Sequence, residues 1–407
     1  MEKLSKNMMW MAASNITASA ISAVLFIYLA RTLLPEAFGY LSYALTITFF
    51  LVNFVDLGLS TFGVREISKD RMRASAYVSE IVSFRLIVAC ILSVIFIVAV
   101  YFWAGLAAKM RILLLESALI FFILALSMEW AFQGLERMHM VFISLATTSA
   151  LQLGLAFLFI KSPQDAWKVP PIYFIGAMPI ALIYLNHFKF RTRIGSADIN
   201  SMGVYLSSSI VIWAIALFAQ VYNSLDVFML GFFRSFEEVG CYTIARRAIG
   251  AATILAVFMA NALLPRLSSV FGRDMAHFRD ATRRFLALSS CLTFFVLLPV
   301  LFFAKELILI TVGSAYLAVA APLKIMTLGL ILVVFNMPYS TGLLAAGLER
   351  QILKQTAFCA LLSVTLNIFL ISKFGMTGAA VTFFIVEAVA LTWILWIYRK
   401  RISLKAW

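Results

Sequence analysis

The chain is 407 residues long, 63% hydrophobic and 13% charged, with a net charge of +14. A soluble domain carries about 25% charged residues, and no soluble core of this length hides so much apolar surface, which excludes a water-soluble enzyme or binding domain. The positive charge fits membrane topology and leaves no basic face over for nucleic acid.

Twelve apolar runs follow one another, near 8–30, 38–58, 77–103, 110–130, 140–160 and 172–188, then 202–225, 240–264, 283–304, 316–339, 352–371 and 376–398. Each is about as long as a helix needs to cross ~30 Å of hydrocarbon. Helices are required because unpaired backbone groups cost several kcal/mol each in lipid, and the alternation of a membrane β-barrel is absent. The first run follows a charged start with no small-residue cleavage site, so it reads as uncleaved. Connections are short. The longest outer one, Lys161 to Pro171, leaves no room for the external catalytic domain of a glycan polymerase or ligase, so the chain reads as a non-enzyme. Pro179, Pro299, Pro322 and Pro338 lie in or near the ends of runs and can bend them.

With the N-terminus placed in the cytoplasm, 21 of the 33 Lys and Arg fall in inner connections and 8 in outer ones. The inner clusters are Lys3 and Lys6, residues 65–73, Arg137, residues 189–193, residues 266–284, Arg350 with Lys354, and residues 399–405. This bias satisfies the positive-inside rule and predicts a multi-pass protein with both termini cytoplasmic.

Two stretches recur about half a chain apart. Gly134-Leu135-Glu136-Arg137 returns as Gly347-Leu348-Glu349-Arg350, and Pro35 through Ala44 aligns with Phe236 through Ala245. The second shift also takes Arg65 to Arg266 and Ser68 to Ser269. The chain therefore reads as two halves, 1–195 and 196–407. The predicted fold is an all-α polytopic membrane protein of about twelve transmembrane helices, in two six-helix bundles. An even helix number per half gives a pseudo-two-fold along the membrane normal, and a transporter places its path between such repeats. Both Gly-Leu-Glu-Arg copies should sit at cytoplasmic turns, and Glu36 and Glu237 at outer ones.

Cys90, Cys241, Cys291 and Cys359 all fall within runs and read as small packing residues, with no disulfide framework or metal site. Ionisable side chains deep in the runs are expensive in lipid and mark candidate sites. Arg85, Arg246, Arg247 and Lys324 are the deep cations, and Glu387 is the deep acid. Four cations against one acid favour an anionic cargo. Arg246 shares a helical face with Gly250, Thr253 and Val257, near Asn261, and is expected to face a cavity or to pair with Asp226 at matching depth. Arg85, Lys324 and Arg31 are candidate contacts for that cargo too; the competing readings are that Arg85 pairs with Glu80 or Glu129 or snorkels, that Lys324 snorkels outward, and that Arg31 anchors at the interface. Asn15, Ser19 and Ser22 form a polar stripe that suits sugars or helix contacts. Glu387, with Asp226, is the carboxylate that proton or sodium coupling would use. Trp10, Trp103, Trp167 and Trp407 read as interface anchors.

The sequence resembles the polysaccharide flippases of the multidrug/oligosaccharidyl-lipid/polysaccharide exporter superfamily, in the Wzx-like branch. The resemblance rests on Asn15, the stretch Leu29-Ala30-Arg31-Thr32-Leu33-Leu34-Pro35-Glu36-Ala37-Phe38-Gly39, Asp56-Leu57-Gly58-Leu59 and Arg65-Glu66-Ile67-Ser68. In the second half it rests on Asp226, Glu238 through Arg246, Leu264 through Ser268 and Gly313-Ser314-Ala315-Tyr316. It covers nearly the whole chain. It implies two bundles around a central cationic cavity, alternating access, and a polyprenyl-diphosphate-linked oligosaccharide such as an O-antigen repeat unit as cargo. The bacterial inner membrane and partnership with membrane lipids and other polysaccharide-assembly proteins go with it. No cofactor is expected, with coupling to H+ or Na+ left open. The alternative is a cation-coupled drug exporter of the same superfamily. That class carries a carboxylate in its first helix, whereas residues 8–30 here contain no Asp or Glu.

Overall fold

The computed structural model describes residues 2–190, 199–271, 274–292, 295 and 297–403. The expectations for Arg191, Arg193, Arg273, Lys405 and Trp407, and for the side chains of Lys3, Lys6, Asn261 and Arg266, lie outside what is described. Among the described residues there is no strand. Eight α-helices precede residue 190: α1 (Glu2–Asp56), α2 (Leu59–Lys69), α3 (Ala74–Phe102), α4 (Ala108–Ser117), α5 (Leu119–Ala125), α6 (Glu129–Gly134), α7 (Met138–Phe159) and α8 (Val169–His187). Six follow: α9 (Ile199–Phe233), α10 (Phe236–Val270), α11 (Met275–Leu292), α12 (Leu298–Thr311), α13 (Ala320–Ala345) and α14 (Glu349–Tyr398).

Seven helical segments among the described residues are long and apolar enough to cross a membrane. Two of them, Met9–Lys69 and Glu349–Ile402, run for 61 and 54 residues, well beyond the ~20 that one crossing takes. Each is sharply broken. In α1 the break is at Leu34 (φ 62°, ψ 166°). A residue before proline is pushed out of the helical region, and the ring of Pro35 cannot continue the ladder. In α14 the break is at Gly375 (φ 56°, ψ −135°). The runs expected at 8–30 and 38–58, and at 352–371 and 376–398, thus meet end to end with almost no loop. Conversely, the run at 110–130 is split into α4, α5 and α6, and the charged start of the run at 283–304 belongs to α11 while its remainder is α12. The connection after Lys161 is itself ordered. Ser162 and Asp165 form a capping box on a short 3₁₀ turn.

By packing, the chain divides into Met1–Ser224 and Leu225–Trp407. The first part of α9 packs within the first unit, against α1, α2 and α3. The Tyr205 ring lies 4.7 Å from that of Phe62, its hydroxyl donates to Glu80 at 2.9 Å, and the Trp213 indole N–H donates to the Asn53 carbonyl at 2.9 Å. In the first unit, one cluster joins α2, α3, α6 and α8 through Phe62, Ile67, Val78, Ile81, Trp130 and Tyr184. Close approach there depends on Gly63, where a Cβ would lie 2.3 Å from the Trp130 ring. In the second unit, Leu267, Phe278, Leu343, Ile394 and Ile397 join α10, α11, α13 and α14. Asp274 accepts the His277 backbone N–H at 2.9 Å and touches its imidazole at 2.6 Å. These contacts hold that exposed carboxyl below its usual range.

The two sequence repeats behave differently. Pro35 and Phe236 both open helical segments, and the repeated positions share burial: Phe38 with Val239, Leu41 with Tyr242, and Ala44 with Ala245 are all buried. The Gly-Leu-Glu-Arg copies both sit on helix C-terminal turns, but two residues out of register. In the first, Glu136 takes the left-handed conformation and the Arg137 N–H bonds back to the Phe132 carbonyl at 2.9 Å. In the second, Gly347 is left-handed and the Leu348 N–H reaches the Leu343 carbonyl at 3.0 Å. The same cap motif is reached by identical tetrapeptides at different positions, so this pair marks a shared turn rather than aligned residues.

Candidate functional site

Among the described residues, an ion pair is set into the apolar interior of each unit. In the first unit Arg85, on α3, is 0% exposed and pairs with Asp56 at the end of α1, whose side chain is 24% exposed. Asp56 reaches α3 because the chain turns through two left-handed residues, Leu57 and Gly58 (φ 48° and 78°), immediately after it. The guanidinium also donates to Ser60 Oγ at 2.7 Å and to the Ser127 carbonyl at 3.4 Å, and lies 5.5 Å from the Trp130 ring. Ser60 Oγ in turn donates to Asp56 at 2.7 Å. The expected partners of Arg85 are otherwise engaged: Glu80 accepts from Tyr205, and Glu129 accepts from Ser144 Oγ at 2.6 Å. Arg85 therefore neither snorkels nor pairs as the sequence suggested, since a closer carboxylate takes it.

In the second unit Arg246, on α10, lies 3.2 Å from Asp226 on α9, with side-chain exposures of 21% and 13%. The Arg246 Nε faces Asp226 without hydrogen-bond alignment, so the contact is an ion pair first. Asp226 has further partners in the Tyr242 hydroxyl at 2.6 Å and the Val227 N–H at 2.8 Å. The guanidinium stacks 5.8 Å from the Phe383 ring of α14, a cation–π contact. The expected Arg246–Asp226 pair is present. Tyr242, four residues before Arg246 on one helix face, was legible from spacing and was overlooked. Phe383, from a distant helix, carries no such signal.

Arg247 and Arg31 are exposed. Lys324 is half-buried on α13, with no ion-pair partner among the described residues. Asn15 is exposed on α1 and Ser19 with it. Glu387 is buried on α14, near Cys359, which Gln355 contacts at 3.2 Å. Cys241 and Cys359 are buried as expected of packing residues, whereas Cys90 and Cys291 are exposed. Trp103 and Trp167 are exposed at helix ends, as interface anchors should be. Glu36 lies 3.7 Å from Lys109. Among the described residues no group of His, Cys, Asp and Glu could hold a metal ion. The Arg246 side chain keeps 21% of its surface accessible and is oriented by a carboxylate and an aromatic ring, an arrangement of the kind that takes up an anionic oxygen.

A family model described as "Polysaccharide biosynthesis protein" matches residues 4–271. A protein of Escherichia coli (strain K12) is 23% identical over 415 residues, covering 98% of this chain and 97% of its own. A protein of Shigella dysenteriae is 30% identical over 157 residues, covering 37% and 38%. Both bear the name "Putative O-antigen transporter". Among solved structures, an inward-facing multidrug resistance MATE family transporter of the MOP superfamily shares the fold with a TM-score of 0.73 at 17% identity, covering 95% of each chain. The lipid II flippase MurJ, in an inward closed conformation, does so with a TM-score of 0.74 at 14% identity, covering 98% of this chain and 88% of that one.

Proposed function

The chain belongs to the polysaccharide biosynthesis protein family, and on that premise we propose that it is a flippase for a lipid-linked glycan, a polyprenyl-diphosphate oligosaccharide of O-antigen type. The observation that carries this reading is the end-to-end likeness to the E. coli O-antigen transporter, joined to the fold shared with a lipid II flippase. The chemistry agrees. Moving such a molecule makes and breaks no bond; the obstacle is desolvating a diphosphate and several sugars over ~30 Å of hydrocarbon, while the lipid tail stays in the bilayer. A wet, cationic path removes that obstacle. Alternating access between two six-helix repeats, twelve crossings in all with both termini in the cytoplasm of a bacterial inner membrane, is the route that the repeat and the charge bias support.

Arg246 is the residue we assign to the diphosphate, with Lys324 and Arg247 as further cations along the path and Asn15 as a polar contact for sugars. Arg85, without accessible surface, is assigned to holding α1 and α3 together. Arg246→Ala should abolish surface glycan and leave lipid-linked intermediate inside a flippase-deficient host, with the protein still inserted. Asp226→Asn separates the roles. If Arg246 only neutralises Asp226, the double variant Arg246→Gln, Asp226→Asn recovers export; if it grips cargo, the double variant stays inactive. Normal export by Arg246→Ala removes it from the site.

Coupling by Glu387 is the finer part of the proposal. Its burial in an apolar helix suits a carboxyl that exchanges a proton as the path switches. Glu387→Gln should flatten the pH dependence of export, and an unaltered profile would take coupling away from this residue. The drug-exporter alternative shares the fold, but α1 supplies no carboxylate between residues 8 and 30. Build-up of lipid-linked glycan in the deletion host, relieved by this chain, distinguishes the two.

A further inference from the structure

At one end of the first unit, three elements enclose a cleft of about 610 Å³, within the ~300–1,000 Å³ typical of small-ligand sites. Asn7 and Trp10 come from the first turns of α1, Arg71 and Met72 from the turn before α3, and Arg137 and His139 from the start of α7. Trp10 packs on α7 through Phe142, ring centroids 5.4 Å apart, so the wall between α1 and α7 is fixed. Glu136, also on the lining, holds Arg71 at 2.9 Å. Arg137 has no ion-pair partner among the described residues, and its backbone is pinned by the left-handed cap at Glu136. Met72 is 94% exposed, an unpaired apolar side chain between Arg71 and Arg73. This is the end of the unit to which the charge bias assigns the cytoplasm.

We propose that this cleft binds the phosphodiester headgroup of an anionic phospholipid from the adjacent leaflet. The chemistry that recognises it is specific. Arg137 offers a planar pair of donors to phosphate oxygens, Asn7 and His139 add polar contacts at the rim, and Trp10 sits where an indole bridges headgroup and acyl chain. Met72 supplies an anchor on the apolar side of the same turn. Basic pockets on the cytoplasmic side of membrane helices hold anionic headgroups for these reasons. The site is separate from Arg246 and stands whether or not the cargo is a glycan.

The test is native mass spectrometry of the full-length, delipidated protein titrated with phosphatidylglycerol or phosphatidylcholine. The unmodified protein should retain phosphatidylglycerol in preference to phosphatidylcholine. Arg137→Gln should weaken phosphatidylglycerol binding about fivefold and leave phosphatidylcholine unaffected. Glu136→Gln, by releasing Arg71, should strengthen it, a change of sign that a folding defect would not give. Lys373→Gln, an exposed cation outside the cleft, should alter nothing. Equal weakening of both lipids by Arg137→Gln, no weakening at all, or displacement of the lipid by inorganic phosphate in excess would each overturn the assignment.

Discussion

Asp56→Asn should destabilise the protein by about 3–5 kcal/mol, and Arg85→Met by distinctly less. Removing one member of a buried ion pair strands the other charge in an apolar surround. The two strandings are unequal. Arg85 is 0% exposed and its guanidinium cannot shed a proton, so without Asp56 it keeps a full charge that no ion pair meets directly, with Ser60, the Ser127 carbonyl and the Trp130 face as its contacts. Asp56 retains 24% exposure and a hydrogen bond from Ser60, and it can neutralise by taking up a proton. The double variant Asp56→Asn, Arg85→Met removes both charges and should recover most of the loss, as apolar replacement of buried pairs commonly does. Thermal melting of the detergent-solubilised protein measures all three. Additive losses, or a greater loss from Arg85→Met, would show that Arg85 is not the stranded charge.

Why the sequence led to Glu80 or Glu129 instead is instructive. Depth along a helix is readable from residue number, and all three carboxylates lie near one membrane face by that measure. Azimuth is not. It depends on the left-handed turn at Leu57 and Gly58, which turns the end of α1 toward α3, and Leu at such a φ carries no local signature. Arg246 and Asp226 were matched correctly because depth nearly sufficed: α9 and α10 are joined by a short turn at Arg234 and Ser235, so the two residues stand within about one helical turn of the same height, and the long arginine side chain spans the difference. The apolar runs were legible for the same reason, as length and composition alone decide whether a helix can span lipid. The junctions were not. A break without a loop, as at Leu34 and Gly375, leaves the hydropathy pattern almost intact and shows only as a single proline or glycine. The Gly-Leu-Glu-Arg repeat shows the converse limit, where identity of sequence over four residues gives the same cap two positions apart because the preceding helices end at different points.

Gly375→Ala should strongly destabilise the second unit. The residue sits at φ 56°, ψ −135°, a conformation essentially reserved for glycine, and other residues there cost about 1–3 kcal/mol. A Cβ would also lie 1.9 Å from Glu238 Oε2. That oxygen accepts the Met376 N–H at 2.9 Å, the first unpaired donor of the second half of α14. On the other side of the break Arg234 donates to the Ile371 and Ser372 carbonyls at 3.1 and 2.9 Å. The acid stands at a helix N-terminus and the base at a helix C-terminus, each where the macrodipole favours it, and both come from the turn that joins α9 to α10. Pushing Glu238 aside also leaves a half-buried donor unpaired, about 1 kcal/mol, so the sum is about 2–4 kcal/mol and should show as loss of folded, inserted protein. Glu238→Gln keeps an acceptor and should cost about 1 kcal/mol. The decisive comparison is Gly375→Ala in a Glu238→Ala background: with the carboxylate gone the methyl has space, so the penalty should shrink to the backbone strain alone. An equal penalty in both backgrounds would mean that the clasp by Glu238 does not hold this break, and an unchanged melting temperature for Gly375→Ala would mean that α14 does not need a glycine there.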